Sequence, residues 1–438
     1  MSKEKGLFES MKAIQYINKT NRGLSLRKHF SFILVIIILK PIIDFTWKLN
    51  ISNTFQAANI NQIVSFILPM ILISSIITKL GLHRKVIFIY SFPTVAILFL
   101  SLVAILHSYN IFTIEETMRN ISIFLIYILG LNLINNDEVF YKYISWIVLV
   151  SILPTLVGYL QLMNIVPYTY WDRLGEGYNI VISRVSGGYL HPTQYLGYII
   201  ICLPCILFMY ANKKISSVKC LLWITLTLPI VIATFHRTAI IIILLQLLLF
   251  LILWKRKLVK WIMIIGTISF IIVYWGSIYN IFTGERGINS ILTFRGRTFY
   301  WSIYMNSFWD GNIVNKLIGN GNSYSQLLGF ADTHSDYLKF LYKYGIIGLL
   351  LFISFIYEIV EKILTKMIKC YKARKNELTS SKYYLGLIIV LSWLIYSTTT
   401  TPLHSTSFGW NFALIIAYIC NSNYSLATQK SNNWRRSY

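Results

Sequence analysis

Long unbroken runs of apolar residues constrain this chain more than any other feature. Many approach or exceed the length of about 18 residues that can cross a bilayer; "TAIIIILLQLLLFLILW" is one of them. Charged residues make up 13% of the 438 and hydrophobic ones 56%, against about 25% charged in an ordinary soluble protein. The pattern predicts an all-α polytopic membrane protein of about twelve transmembrane helices. Spans are expected near 30–47, 60–79, 86–107, 119–134, 143–163, 189–210, 219–235, 238–254, 259–279, 337–360, 383–400 and 408–421.

Charge then orients the spans. The net charge is +24, and in a membrane protein such an excess is expected in cytoplasmic loops facing anionic lipid. No nucleic-acid-binding motif accompanies it, so no nucleic-acid partner is expected. Residues 1–29 are basic and lack an apolar core, which predicts a cytoplasmic arm with no cleavable signal. An even number of spans places both termini in the cytoplasm, here of a bacterial inner or plasma membrane. The chain divides into this arm, a nine-helix membrane region (30–279), an extracytoplasmic loop expected to be catalytic (280–336), a three-helix region (337–421) and a cytoplasmic tail (422–438). A basic linker, 361–382, interrupts the three-helix region. In this topology the large extracytoplasmic loop precedes the tenth span, and a second long outer segment covers about 164–188.

Most of the 40 lysines and arginines fall inside. The outer side keeps Lys48, Lys316 and a set of arginines: Arg119, Arg173, Arg184, Arg237, Arg286, Arg295 and Arg297. Topology needs only positive charge, so it does not explain a preference for arginine. The planar guanidinium fork pairs bidentately with phosphate oxygens, so the arginines point to an anionic ligand. Arg237 stands in "ATFHRTAIIIILLQ". Arg295 and Arg297 flank Gly296 ahead of an aromatic helix, "TFYWSIYMNSFW". Arg184 and His191 lie in "ISRVSGGYLHPTQYLGY", where Gly187 and Gly188 allow a turn and Pro192 suits a helix start. His334 lies just before the tenth span, with Asp332 and Asp336 two residues to either side. A histidine titrates near neutrality and a carboxylate can orient it, so His334 is the candidate general base, with Asp332, Asp336 and His191 as possible support.

Other features are read structurally. Lys40 and Asp44, four residues apart in one helix, are expected to neutralise each other. Cys202 and Cys205 form C-x-x-C inside an apolar run without the polar surroundings that activate a thiol. His107, His236 and His404 show no metal-ligand spacing with the others. No Walker A, H-E-x-x-H or G-x-S-x-G motif is present, and no metal or cofactor is expected.

Between residues 180 and 360, several segments resemble, in order, the O-antigen polymerase/ligase family: "RVSGGYLHPTQYLGYIIICLP", "TFHRTAIIIILL", "RGRTFYWSIYMNSFWDGNIVNKLIGNGNSY" and "THSDYLKFLYKYGIIGLLLF". The last is similar to the family's histidine followed by an apolar helix with two glycines, here Gly345 and Gly348. The resemblance implies metal-independent glycosyl transfer from a polyprenyl-diphosphate-linked oligosaccharide on the outer membrane face. His334 would take the acceptor proton, and Arg184, Arg237, Arg295 and Arg297 would hold the departing diphosphate. The expected function is a polymerase for capsular, exo- or O-antigen polysaccharide, with a ligase of finished glycan as the alternative. Expected partners are the bilayer, a chain-length regulator and a flippase. A transporter of lipid-linked oligosaccharide is the rival from another class; such folds show internal repeats, and none is legible.

Overall fold

The protein is described from a computed structural model covering residues 33–44, 64, 67–72, 92–108, 111–134, 137–168, 170–174, 180–253, 297–321, 334–372 and 377–421. Arg286, Arg295 and Asp332, the ninth expected span and both terminal segments lie outside these described residues.

The apolar runs form helices where the sequence places them. They are α1 (Ile33–Ile43), α2 (Phe92–Ser108), α3 (Ile111–Leu133), α4 (Asp137–Val150), α5 (Ile152–Leu162), α6 (Pro192–Ala211), α7 (Ser217–Ala233) and α8 (Arg237–Leu253). After them come α9 (Arg297–Asp310), α10 (Ile313–Ile318), α11 (Asp336–Lys372), α12 (Glu377–Thr399) and α13 (Thr406–Asn421). Between α5 and α6 the chain makes an antiparallel hairpin, β1 (Tyr170–Leu174) and β2 (Ile180–Arg184), with Tyr170 opposite Arg184.

Helix α6 shows why the architecture is what it is. His191 caps its start from an extended backbone, its ring accepting from the Thr193 amide, and Pro192 takes the first turn, where a missing N–H costs nothing. A helix apolar on every side must be surrounded. Helices α4, α7, α8, α12 and α13 all pack on α6, and 89% of its apolar stretch is buried. Several polar groups inside this bundle bond one another, as burial favours. The Gln246 amide of α8 donates to the Ile200 carbonyl of α6 and to Ser392 Oγ of α12, both at 2.8 Å. Trp410 of α13 donates to Ser122 Oγ of α3 at 2.6 Å. Aromatic rings fill the centre: Phe340 stacks on Phe352 at 4.1 Å, Phe352 meets Trp393 edge-on at 5.7 Å, and Trp393 leans on Phe412 at 4.6 Å.

This packing overturns the twelve-span membrane fold. Among the described residues two stretches are long and apolar enough to cross a membrane, Asp137–Leu162 and Pro192–Ala211. The second is a core helix by its burial. The shorter apolar helices, among them α1, α7, α8 and α13, run 10–17 residues, short of the roughly 20 a crossing takes; α3, α11 and α12 are longer but hold no stretch that is both long and apolar enough, and α13 is buried almost throughout. In α6 and α13 the apolar runs are turned onto neighbouring helices. The conclusions that rested on the topology fall with it: the outer-face polymerisation or ligation of lipid-linked glycans, the bilayer, flippase and chain-length-regulator partnerships, and placement in a bacterial cytoplasmic membrane with cytoplasmic termini. The described fold is helical apart from the β1–β2 hairpin in the long segment before α6. The expected linker 361–382 begins as the last turns of α11, where Ile363, Lys366 and Cys370 are buried and Lys366 donates to the Cys420 carbonyl of α13.

Candidate anion-binding site

Five separate stretches of chain meet at the end of α12. Leaving β2, the chain bonds Val185 N to the Ala233 carbonyl of α7 at 3.3 Å. Gln161, at the end of α5, takes the amides of Ser186 and Gly187 on one side-chain oxygen, each at 3.0 Å. Gly187 has φ +61°, and a Cβ there would lie 2.8 Å from the Pro154 carbonyl, so the turn needs glycine. These bonds fix Arg184, which is buried; its Nε donates to the Thr234 carbonyl at 2.7 Å.

Thr234 ends α7, Phe235 turns the chain at φ +53°, and His236 opens α8 by accepting from the Ala239 amide at 3.4 Å. Arg237 is therefore the first residue of α8 and is half-buried. The His236 ring lies edge-on to Tyr396, centroids 5.8 Å apart. One residue past Arg237, Thr238 accepts from Thr399 at 3.0 Å. The Tyr396 hydroxyl donates to the Thr193 carbonyl at the start of α6, at 2.9 Å. Beside it Ser397 donates to Asp336 at the start of α11, at 2.8 Å.

Electrostatics complete the grouping. Burial holds the Tyr396 phenol well above its ordinary pKa, while the Thr400 hydroxyl and the charges of Arg184 and Arg297 pull it back down. Both charges are thus felt at the same phenol. Arg297 is the first residue of α9 and half-buried. Its helix is anchored beneath by Tyr304 and Phe308, which pack with Tyr342 of α11; the Tyr304 and Tyr342 rings lie 5.8 Å apart.

Thus Arg184 and the N-termini of α6, α8 and α11 meet at the last turn of α12, with Arg237 opening α8 there, and Arg297 is near enough for its charge to be felt at Tyr396. Each N-terminus carries about half a positive charge, and arginines beside helix N-termini suit a phosphate or carboxylate. Asp336, 1% exposed, is the acid held here. His334 is half-buried at φ +50°, two residues before α11. His191 stays at the start of α6 as its cap, with Nδ1 2.7 Å from Thr193 Oγ1. Arg295 and Asp332 are outside the described residues.

The expected Lys40–Asp44 pair forms inside α1. Asp44 also accepts from Ser407, so the pair is a buried strut between α1 and α13. Cys202 and Cys205 are buried and unbridged. Sequence reasoning missed the hydroxyl groups that join these stretches, Tyr396, Ser397 and Thr399, and the ring of His236. Their signal is legible in hindsight: "YSTTTTP" closes an otherwise apolar helix, and hydroxyl side chains at such an end need partners. No protein-family model and no curated protein matches the chain.

Proposed function

We propose that this end of the bundle binds the phosphates of a diphosphate-linked glycosyl donor, and that the chain is a metal-independent glycosyltransferase. One observation carries the reading: the N-termini of α6, α8 and α11 meet at the end of α12 beside the buried Arg184, with Arg237 at the start of α8 and the charge of Arg297 also felt at Tyr396. The ordered resemblance of residues 180–360 to glycosyl-transferring enzymes supports the reaction class.

In the reaction, the acceptor oxygen bonds to the anomeric carbon while the bond from that carbon to the diphosphate oxygen breaks. The bonding electrons leave on the diphosphate, and the hydroxyl proton passes to a base. The arginines and helix ends stabilise the departing negative charge, which is where preorganised donors act most strongly. His334 is the base, worth about 10²–10⁴-fold in rate, and Asp336 is the carboxylate available at the same helix start.

Calorimetric titration with pyrophosphate tests the binding half. Charge-assisted bonds contribute about 1.5–3 kcal/mol each, so Arg237→Ala should weaken affinity by roughly tenfold to a hundredfold. His334→Ala should bind pyrophosphate nearly as the parent does and lose transfer. Pyrophosphate binding untouched by Arg237→Ala would remove the proposal.

A further inference from the structure

Helix α11 is continuous in sequence but broken at Gly345, where φ is +68° and ψ −169°. The break leaves a short helical arm, residues 336–344, with Asp336 at one end and Gly345 at the other. His334 precedes it directly. Besides the packing of Phe340, Tyr342 and Tyr344 and the Tyr337 hydroxyl on the Leu394 carbonyl, three sets of polar contacts hold the arm, each from a different part of the chain.

The first is Asp336 with Ser397 of α12. The second is backbone to backbone. The amides of Asn320 and Gly321, just past α10, donate to the carbonyls of Tyr342 and Lys343 at 3.2 and 3.1 Å. The third is Glu116 on α3. Its Oε1 lies 2.9 Å from Lys339 Nζ and 3.4 Å from Lys343 Nζ. The two lysines are one turn apart on the arm, and Lys343 is 1% exposed. Two cations brought to one face of a short helix repel each other. A single carboxylate placed between them turns that repulsion into a crosslink from α3 to the arm.

We propose that Glu116 is a positioning residue: by clasping Lys339 and Lys343 it latches the arm 336–344, hinged at Gly345, and so sets where His334 and Asp336 stand. The importance of that placement rests on the site reading above; the latch itself does not. The described ion pairs of Glu116 are both to the arm, and it is through them that it acts.

Hydrogen exchange on the full chain tests this. In Glu116→Gln the carboxylate charge is gone, two buried ammonium groups lose their common counterion, and the arm should open more often. Exchange across residues 336–344 should rise about tenfold or more, with exchange in α6 unchanged. Lys339→Met, which removes the more exposed amine and keeps the Glu116–Lys343 ion pair, is the milder variant and should raise arm exchange less. It is also the measurement to use if Glu116→Gln does not fold. Unchanged arm exchange in both variants, or a rise spread equally over α6, would overturn the latch. Pyrophosphate binding by the parent chain is a separate readout: its absence would defeat the site reading and leave the latch standing.

Discussion

At the scale of single residues, chemistry and placement separate. Arg184, Arg237 and Arg297 could be picked from the sequence because only arginine offers an always-charged planar fork. Arg237→Lys should therefore keep the charge yet recover only part of the pyrophosphate affinity lost in Arg237→Ala, a difference that calorimetry reads directly. Tyr396 could not be picked. Its role depends on Arg184 and Arg297, which stand far from it in sequence and whose charges are both felt at its phenol. Lys366 gives a prediction of another kind. Burial, with Lys382, Lys362 and Lys369 nearby, lowers its pKa from 10.5 to about 8, against the raising influence of Cys420. Between those values the unfolded chain binds the extra proton, so this group's contribution makes stability rise with pH through that window; below it the penalty is fully present. Lys366→Met should flatten that part of a thermal-stability profile. An unchanged slope from about pH 8 to 10 would show that Lys366 does not carry it.

At the scale of elements, apolar runs located helices well, because a helix buried on all sides needs a continuous apolar sequence. Helices α6, α7 and α8 stand within a few residues of where those runs place them. The β1–β2 hairpin was not legible in the segment before α6, and neither was the break in α11. In sequence, Gly345 and Gly319 are two glycines among 23; in space they lock together. A Cβ on Gly319, at φ +84°, would sit 2.1 Å from the Lys343 carbonyl oxygen. One on Gly345 would sit 2.3 Å from the Leu317 carbonyl oxygen. Each substitution adds a backbone clash to a left-handed conformation, so Gly319→Ala and Gly345→Ala should each cost about 2–5 kcal/mol in denaturant unfolding. A loss under about 1 kcal/mol would mean that the α10–α11 contact yields easily.

At the scale of the whole molecule, the sequence could not distinguish apolar helices that face lipid from apolar helices that face one another, since both need the same composition. Packing around α6, α12 and α13 decides it for the described helices, and the outer-face assignment goes with the spans. The arginines stand out in sequence by their expected outer side, so that ground goes too; what keeps Arg184 and Arg237 as candidates is their place at the end of α12. The central claim is that cations from separate parts of the chain act on one ligand. A double-mutant cycle on Arg237→Gln and Arg297→Gln, read by pyrophosphate calorimetry, tests it most directly. Residues sharing a ligand couple by about 0.5–3 kcal/mol, whereas independent sites add within about 0.5 kcal/mol. The account predicts one pyrophosphate per chain, weakened by either substitution, with coupling above that additive limit. Two independent sites, strictly additive losses, or no binding to the parent chain would contradict it.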